Sequence, residues 1–309
     1  MSTVAEPRAT PRRPQATPQP STLARLRGWF RNPWGKPRFL VAFTWVYIIW
    51  SIVPVAIAIL FAFNNGRSRT SWQGFSFRWY TGSAGSVLHD PALQGALKHT
   101  LILAVICVGI ATPLGVALAL GLQRWRGPGG GTINTVMLLP LVTPEIVMGV
   151  ALLLLFLRVF PGIGLGTPAQ AIGQVTFTLS YVVVIVRGRL TSIGREFEEA
   201  AADLGAPPRD QLWRVLLPML APAIVASAAV AFALSIDDFV VTQYLAGDSS
   251  TTTVSMLLYA SARGAPTPAL NALATVALVI TMATLALALL VYRRFAGGRE
   301  AAAVATLEV

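Results

Sequence analysis

The sequence predicts an all-α membrane protein with six transmembrane helices and both termini on the cytoplasmic side. Three observations carry this reading. The chain of 309 residues is 54% hydrophobic and only 12% charged, with a mean hydropathy of +0.63, against about 25% charged residues in a soluble domain. Six apolar runs recur near 40–63, 97–122, 134–157, 170–189, 219–246 and 269–292. Each is about 20 residues or more, the length a helix needs to cross about 30 Å of hydrocarbon. Finally, with the N-terminus inside, 18 of the 24 basic residues fall on the cytoplasmic side, and the opposite orientation would break the positive-inside rule. A net charge of +11 distributed in this way points to a membrane rather than to nucleic acid.

The elements follow in order. Residues 1–38 are rich in Pro, Arg, Thr and Gln and read as a disordered basic tail. Its last part, RLRGWFRNPWGKPRF from Arg25, mixes basic and aromatic residues as an interfacial anchor does. The first apolar run is too long for a signal peptide and stays as a span. In the loop that follows, Trp72, Trp79 and Tyr80 are expected in the interfacial aromatic belt, with a protein-docking surface as the alternative. The second span holds the lone Cys107, read as a small buried apolar side chain; one Cys and two His build neither a disulfide framework nor a metal cluster. RWRGPGGG, Arg124 to Gly131, is a tight cytoplasmic turn. The third span contains LPLVTPEIVMG, with Pro140, Pro144 and Glu145 inside it. Prolines kink a helix, and a glutamate at membrane depth is costly unless paired or hydrated, so Glu145 is a candidate functional residue; the alternative is a protonated glutamate packed on a neighbouring helix. The permease-like body runs over 39–295, and 296–309 is read as a cytoplasmic tail.

Between the fourth and fifth spans lies the largest cytoplasmic loop, 190–218. Within it, Phe197, Ala200, Ala201 and Leu204 share one face of a short helix, while Glu196, Glu199 and Asp203 lie elsewhere. Gly205 is expected to end that helix in a left-handed turn. Pro207 and Pro208 suit the first turn of a second helix with Leu212, Val215 and Leu216 as its apolar stripe. Two short helices at an angle make a knob fitted to a groove on a soluble partner, or a hairpin packed only on its own bundle. Beyond it, Asp237 and Asp238 fall 19 residues past Pro218, about 28 Å along a helix, in the far half of the fifth span or at a break in it. Adjacent side chains point about 100° apart, so the two need not share one role: one is free to serve a passage while the other caps a helix or binds a neighbour.

The spacing in the loop is specific. Glu199-Ala200-Ala201, three residues, Gly205, nine residues and Val215-Leu216-Leu217-Pro218 resembles the EAA signature of ABC importer permeases, with Val in place of Ile as the one departure. PEIVMGVALLLLF, TLSYVVVIVRGRL, SIDDFVVTQYLAG and TPALNALAT extend the resemblance over about residues 40–295 to the spermidine/putrescine permeases, specifically the second of their two membrane subunits. The resemblance implies the type I importer fold in the cytoplasmic (inner) membrane. It also implies that Glu199, Ala200, Ala201, Gly205 and Pro218 couple to an ATP-binding subunit dimer, alongside a second permease subunit and an extracytoplasmic binding protein. The chain carries no GxxxxGK[ST] phosphate loop, so ATP and Mg are assigned to the partner, no cofactor to this chain, and no enzymatic role. A polyamine is costly to strip of water, and Glu145, Asp237 and Asp238, with the hydroxyls of Thr176, Ser180 and Tyr181, form a candidate pathway for it. Alternatives are another cargo, such as a metal ion, an oxyanion or an opine, and an ATP-independent transporter or channel. The latter needs no docking knob and usually carries inverted repeats.

Overall fold

The computed structural model describes residues 38–68, 71–125, 127, 129–263 and 267–305. The basic tail before residue 38, Arg69, Arg126 and the last four residues lie outside them. Internal packing divides the chain into residues 1–54 and 55–309. In the first unit, residues 38–54 are helical, the opening part of α1 (Arg38–Ala62). The second unit contains everything that follows.

Helix α2 (Pro91–Arg124) starts where the Asp90 carboxylate accepts the amides of Ala92 at 2.8 Å and Leu93 at 3.4 Å, with Pro91 in the first turn. The run predicted as one third span is two helices, α3 (Gly130–Val142) and α4 (Glu145–Arg158), bent by 110°. Pro144 is the cause: it forces Thr143 into an extended conformation (ψ 130) and offers no N–H to continue the ladder. Pro140 is absorbed within α3, so only one of the two prolines breaks the helix. Glu145 therefore opens α4 at a bend rather than lying within one continuous helix. Helix α5 (Thr167–Ile193) begins after Gly166 (φ 108) and ends at Gly194 (φ 73). The knob helices α6 (Glu196–Asp203) and α7 (Pro208–Asp210) lead through a π-helical turn, Gln211–Leu216, into α8 (Leu217–Asp237). The fifth span breaks there, and a short α9 (Val240–Tyr244) follows. Two helices complete the chain, α10 (Val254–Arg263) and α11 (Pro268–Ala305). The expected tail from residue 296 is thus helical as far as Ala305. Among the described residues, five helices are long and apolar enough to cross a membrane, and the α3–α4 pair makes a sixth if counted as one broken span.

Helices α2 and α5 run parallel and in register. His99 Nε2 lies 2.8 Å from Gln170 Oε1, and Cys107 Sγ 3.1 Å from Thr178 Oγ1, two pairs with the same sequence separation. Cys107 is fully buried, as expected. Small residues let the helices close up where lipid offers no hydrophobic drive between them. A Cβ on Gly115 would meet Val182 Cγ1 at 2.5 Å, and one on Gly173 would meet Leu245 Cδ1 at 2.6 Å and Val241 Cγ1 at 2.7 Å. Around these approaches, Val116, Val182, Val186, Leu190, Leu216 and Leu220 form one core, and Met148, Phe156, Ala169, Val241 and Leu245 another.

The loop before α2 departs from the interfacial-belt expectation. Trp79 is buried at 5% exposure, and its Nε1 donates to the Asn64 carbonyl at 2.7 Å. Asn64, itself fully buried, donates to the carbonyls of Ser68 and Ser71 and accepts the Gln73 amide. Here Trp79 is a structural post; Trp72 and the rings of Phe75 and Phe77 remain exposed. Gly173→Val should cost about 1–3 kcal/mol through overpacking against α9 and lower the melting temperature in detergent by several degrees. Gly188→Ala, whose added methyl meets nothing within 4 Å, should match or exceed the parent in the same thermal assay.

Candidate functional site

Two regions draw together the residues singled out in the sequence. The first is the knob. Gly205 has φ +83 and closes α6 in a Schellman arrangement: its amide donates to Ala202 O at 2.8 Å, and that of Ala206 to Ala201 O at 3.0 Å. Pro207 then caps the short α7, with Pro208 in its first turn. Glu199, Ala200 and Pro218 are exposed, and Ala201 is half-buried. On the expected apolar stripe, Phe197 is uncovered and Leu204 is 90% exposed. Neither side chain is covered by the chain's own bundle. The knob is also tied to the rest of the chain. Glu198 forms an ion pair with Arg124 at the end of α2, and Arg195 Nη2 donates to the Gln123 carbonyl at 3.4 Å. Glu198, Glu199, Arg124, Arg195 and Gln211 border a cleft of about 370 Å³ between knob and bundle.

The second region is the pair of helix breaks, after Val142 and after Asp237, brought together because α4 packs on α9. Asp238 holds the second break. Its carboxylate accepts the amides of Val241 at 3.1 Å and Thr242 at 3.2 Å, and Gln174 Nε2 at 3.2 Å. Its carbonyl accepts the hydroxyls of Thr242 at 2.9 Å and Ser255 at 2.7 Å. Of the two aspartates, Asp238 is thus the helix cap. Asp237, at the last position of α8, is exposed, and its carboxylate has no hydrogen bond or ion pair among the described residues. Glu145 is likewise exposed, at the start of α4. The hydroxyl residues lie apart. Thr176 is exposed and donates to Ile172 O on its own helix; Tyr181 packs its ring on Phe177. Ser180 is buried along a groove that also holds Asn134, Thr191 and Arg187, the last bonded to Asn134. No hydrogen bond joins these three to a carboxylate among the described residues.

What the sequence reading missed is the scaffold beneath the carboxylates. Gln170 and Gln174, one helical turn apart on α5, are buried. Gln170 Nε2 donates to the carbonyls of Thr242 and Thr251, each at 3.0 Å, while Gln174 donates to Ser235 O at 3.1 Å and accepts the Ser235 hydroxyl at 2.6 Å. Two glutamines at i and i+4 within an apolar span were the available signal, since buried amides need partners. The Arg124–Glu198 pair joins residues 74 apart and left no local trace.

Comparison with known proteins places this geometry. The family described as binding-protein-dependent transport system inner membrane component matches residues 111–298. The putrescine transport system permease protein PotI of Escherichia coli (strain K12) is 36% identical over 255 residues, covering 80% of this chain and 86% of that protein. The spermidine/putrescine transport system permease protein PotC of Haemophilus influenzae is 33% identical over 253 residues, covering 82% and 96%. The molybdenum transport system permease protein ModB of Mycobacterium bovis is 34% identical over 220 residues, covering 66% and 76%. In fold, the chain is similar to a bacterial ABC transporter involved in the import of the acidic polysaccharide alginate, with a TM-score of 0.66 at 18% identity over 87% of this chain and 99% of the other. The chain belongs to the inner-membrane components of binding-protein-dependent transport systems, and it is a multi-pass, non-enzymatic permease subunit.

Proposed function

We propose that this subunit imports polyamines across the cytoplasmic membrane, driven by an ATP-binding partner seated on the knob. The observation that carries the cargo is the likeness, over about four-fifths of the chain, to permeases for putrescine and for spermidine with putrescine. The geometry agrees in sign. Glu145 and Asp237 are exposed carboxylates beside two neighbouring helix breaks, where a polycation can exchange hydration for fixed negative charge. Asp238 serves the same place indirectly, by keeping the break open. Ser180 shares its groove with the positive Arg187, so the cargo contacts fall to the carboxylates.

In this reading both termini are cytoplasmic, and an extracytoplasmic binding protein delivers the cargo to a passage shared with a second permease subunit. ATP and Mg act in the partner dimer. Its closure displaces the exposed face of Phe197, Ala200 and Leu204 and rocks the helices between two openings. Reconstituted with these partners, the complex should take up labelled putrescine or spermidine only with ATP; uptake of molybdate but no polyamine would overturn the cargo.

Four substitutions separate these roles. Gly205→Val places a β-branched residue at φ +83, about 1–3 kcal/mol of backbone strain, and should remove most cargo-stimulated ATP hydrolysis while the subunit still reaches the membrane. Glu145→Gln and Asp237→Asn should each lower polyamine uptake several-fold with little change in melting temperature. Asp238→Ala should instead act on stability, losing a helix cap of about 0.5–2 kcal/mol, and show as a lower melting temperature of the purified subunit.

A further inference from the structure

Helix α2 connects the two regions described above. At its end, Arg124 is paired with Glu198 and the Gln123 carbonyl accepts from Arg195, so both ties from the knob land on one turn. Near its start, Thr100 Oγ1 accepts the Val254 amide that opens α10 at 2.9 Å, and His99 meets Gln170. Gln170 in turn holds Thr242 in α9 and Thr251 beyond it. From Thr100 to Arg124 the helix is continuous, about 36 Å long. The contacts at the far end are buried, so the loss of one would leave a buried polar atom unsatisfied, whereas the two at the knob are exposed. The Arg124–Glu198 pair is partly exposed, at 45% and 21%, and a pair of that kind adds little to stability.

We propose that Arg124 and Glu198 are positioning residues that form a joint, passing displacement of the knob into α2, and that α2 carries it through His99, Thr100 and Gln170 to the break beside Asp237 and Asp238. This rests on the reading that a partner ATPase drives the knob, and it assigns separate tasks to two adjacent glutamates. Glu198 pairs with Arg124, while the more exposed Glu199 has no ion pair among the described residues. The chain itself also joins the knob to the bundle, at α5 through Gly194 and Arg195 and at α8 through the π-helical turn Gln211–Leu216, a locally irregular segment; the Arg124–Glu198 pair adds the direct tie to α2.

The test is a charge swap in the full reconstituted complex, reading cargo moved per ATP hydrolysed, with co-purification of the ATPase as the check on assembly. Arg124→Glu and Glu198→Arg should each lower that ratio by about fivefold, within the range seen for residues in contact. The double substitution should restore it to within about twofold. Single variants with an unchanged ratio, or an assembled double variant that stays uncoupled, would overturn the proposal. A second arm stands if the single variants fail to assemble: Arg124→Cys with Glu198→Cys in a Cys107→Ala background, bridged by a short thiol-reactive linker. A joint that stays closed through the cycle keeps transport when bridged; loss of transport on bridging, regained on cleavage of the linker, would overturn it. The two readings fail separately. A parent complex that transports without ATP defeats the ATPase reading, whereas an ATP-driven parent with indifferent variants defeats only the joint.

Discussion

Within hydrocarbon a helix can be interrupted only where other groups satisfy the backbone it releases, and this constraint organises the structure. The break after Asp237 frees amides and carbonyls in the middle of the bundle. Asp238 takes the amides of Val241 and Thr242, Gln170 takes the carbonyls of Thr242 and Thr251, and Gln174 takes that of Ser235. Each of these side chains is itself held by another, down to His99 on α2. The polar network is therefore what permits an irregular segment inside the bundle, and the irregular segment is what leaves Asp237 exposed at the end of α8.

The same logic explains how much was legible in the sequence. Long apolar runs announce spans because hydrocarbon tolerates little else, and five of the six emerge as continuous apolar helices, the fifth meeting its break at Asp237. The left-handed turn at Gly205 and the proline-led α7 are local matters of backbone sterics, and they were readable for that reason. The 110° bend was not. Two prolines stand four residues apart, and nothing local says that Pro140 is absorbed within α3 while Pro144 breaks it. Which of two adjacent acids turns inward also depends on partners supplied by distant helices. Trp79 misleads for the complementary reason: its composition suits an interface, but Asn64 offers its indole a buried carbonyl.

Packing sets the distances over which these networks act. Lipid gives two apolar helices no reason to prefer each other, so close approach must come from shape. Gly115 lets α2 reach Val182 on α5, Gly173 admits Val241 and Leu245, and Gly149 admits the ring of Tyr244. Two of the three glycines face α9, the short helix after the break. A larger residue at either would push α9 away from Gln170 and the breaks apart from each other, so small side chains that carry no charge themselves fix the geometry of the carboxylates.

The two acidic doublets follow a common rule. Neighbouring residues on a helix point about 100° apart, so a doublet at an element's edge offers one carboxylate to the fold and one to the outside. In the knob, Glu198 meets Arg124 and Glu199 is exposed; at the break, Asp238 caps α9 and Asp237 is exposed. The inward member fixes the local backbone, and with it the direction of its neighbour. An exposed charge on a well-held backbone loses less freedom on binding than one on a mobile loop. The inward acids therefore prepare the outward ones, and substitution of the former should be felt at the latter even where the cargo or partner never touches them.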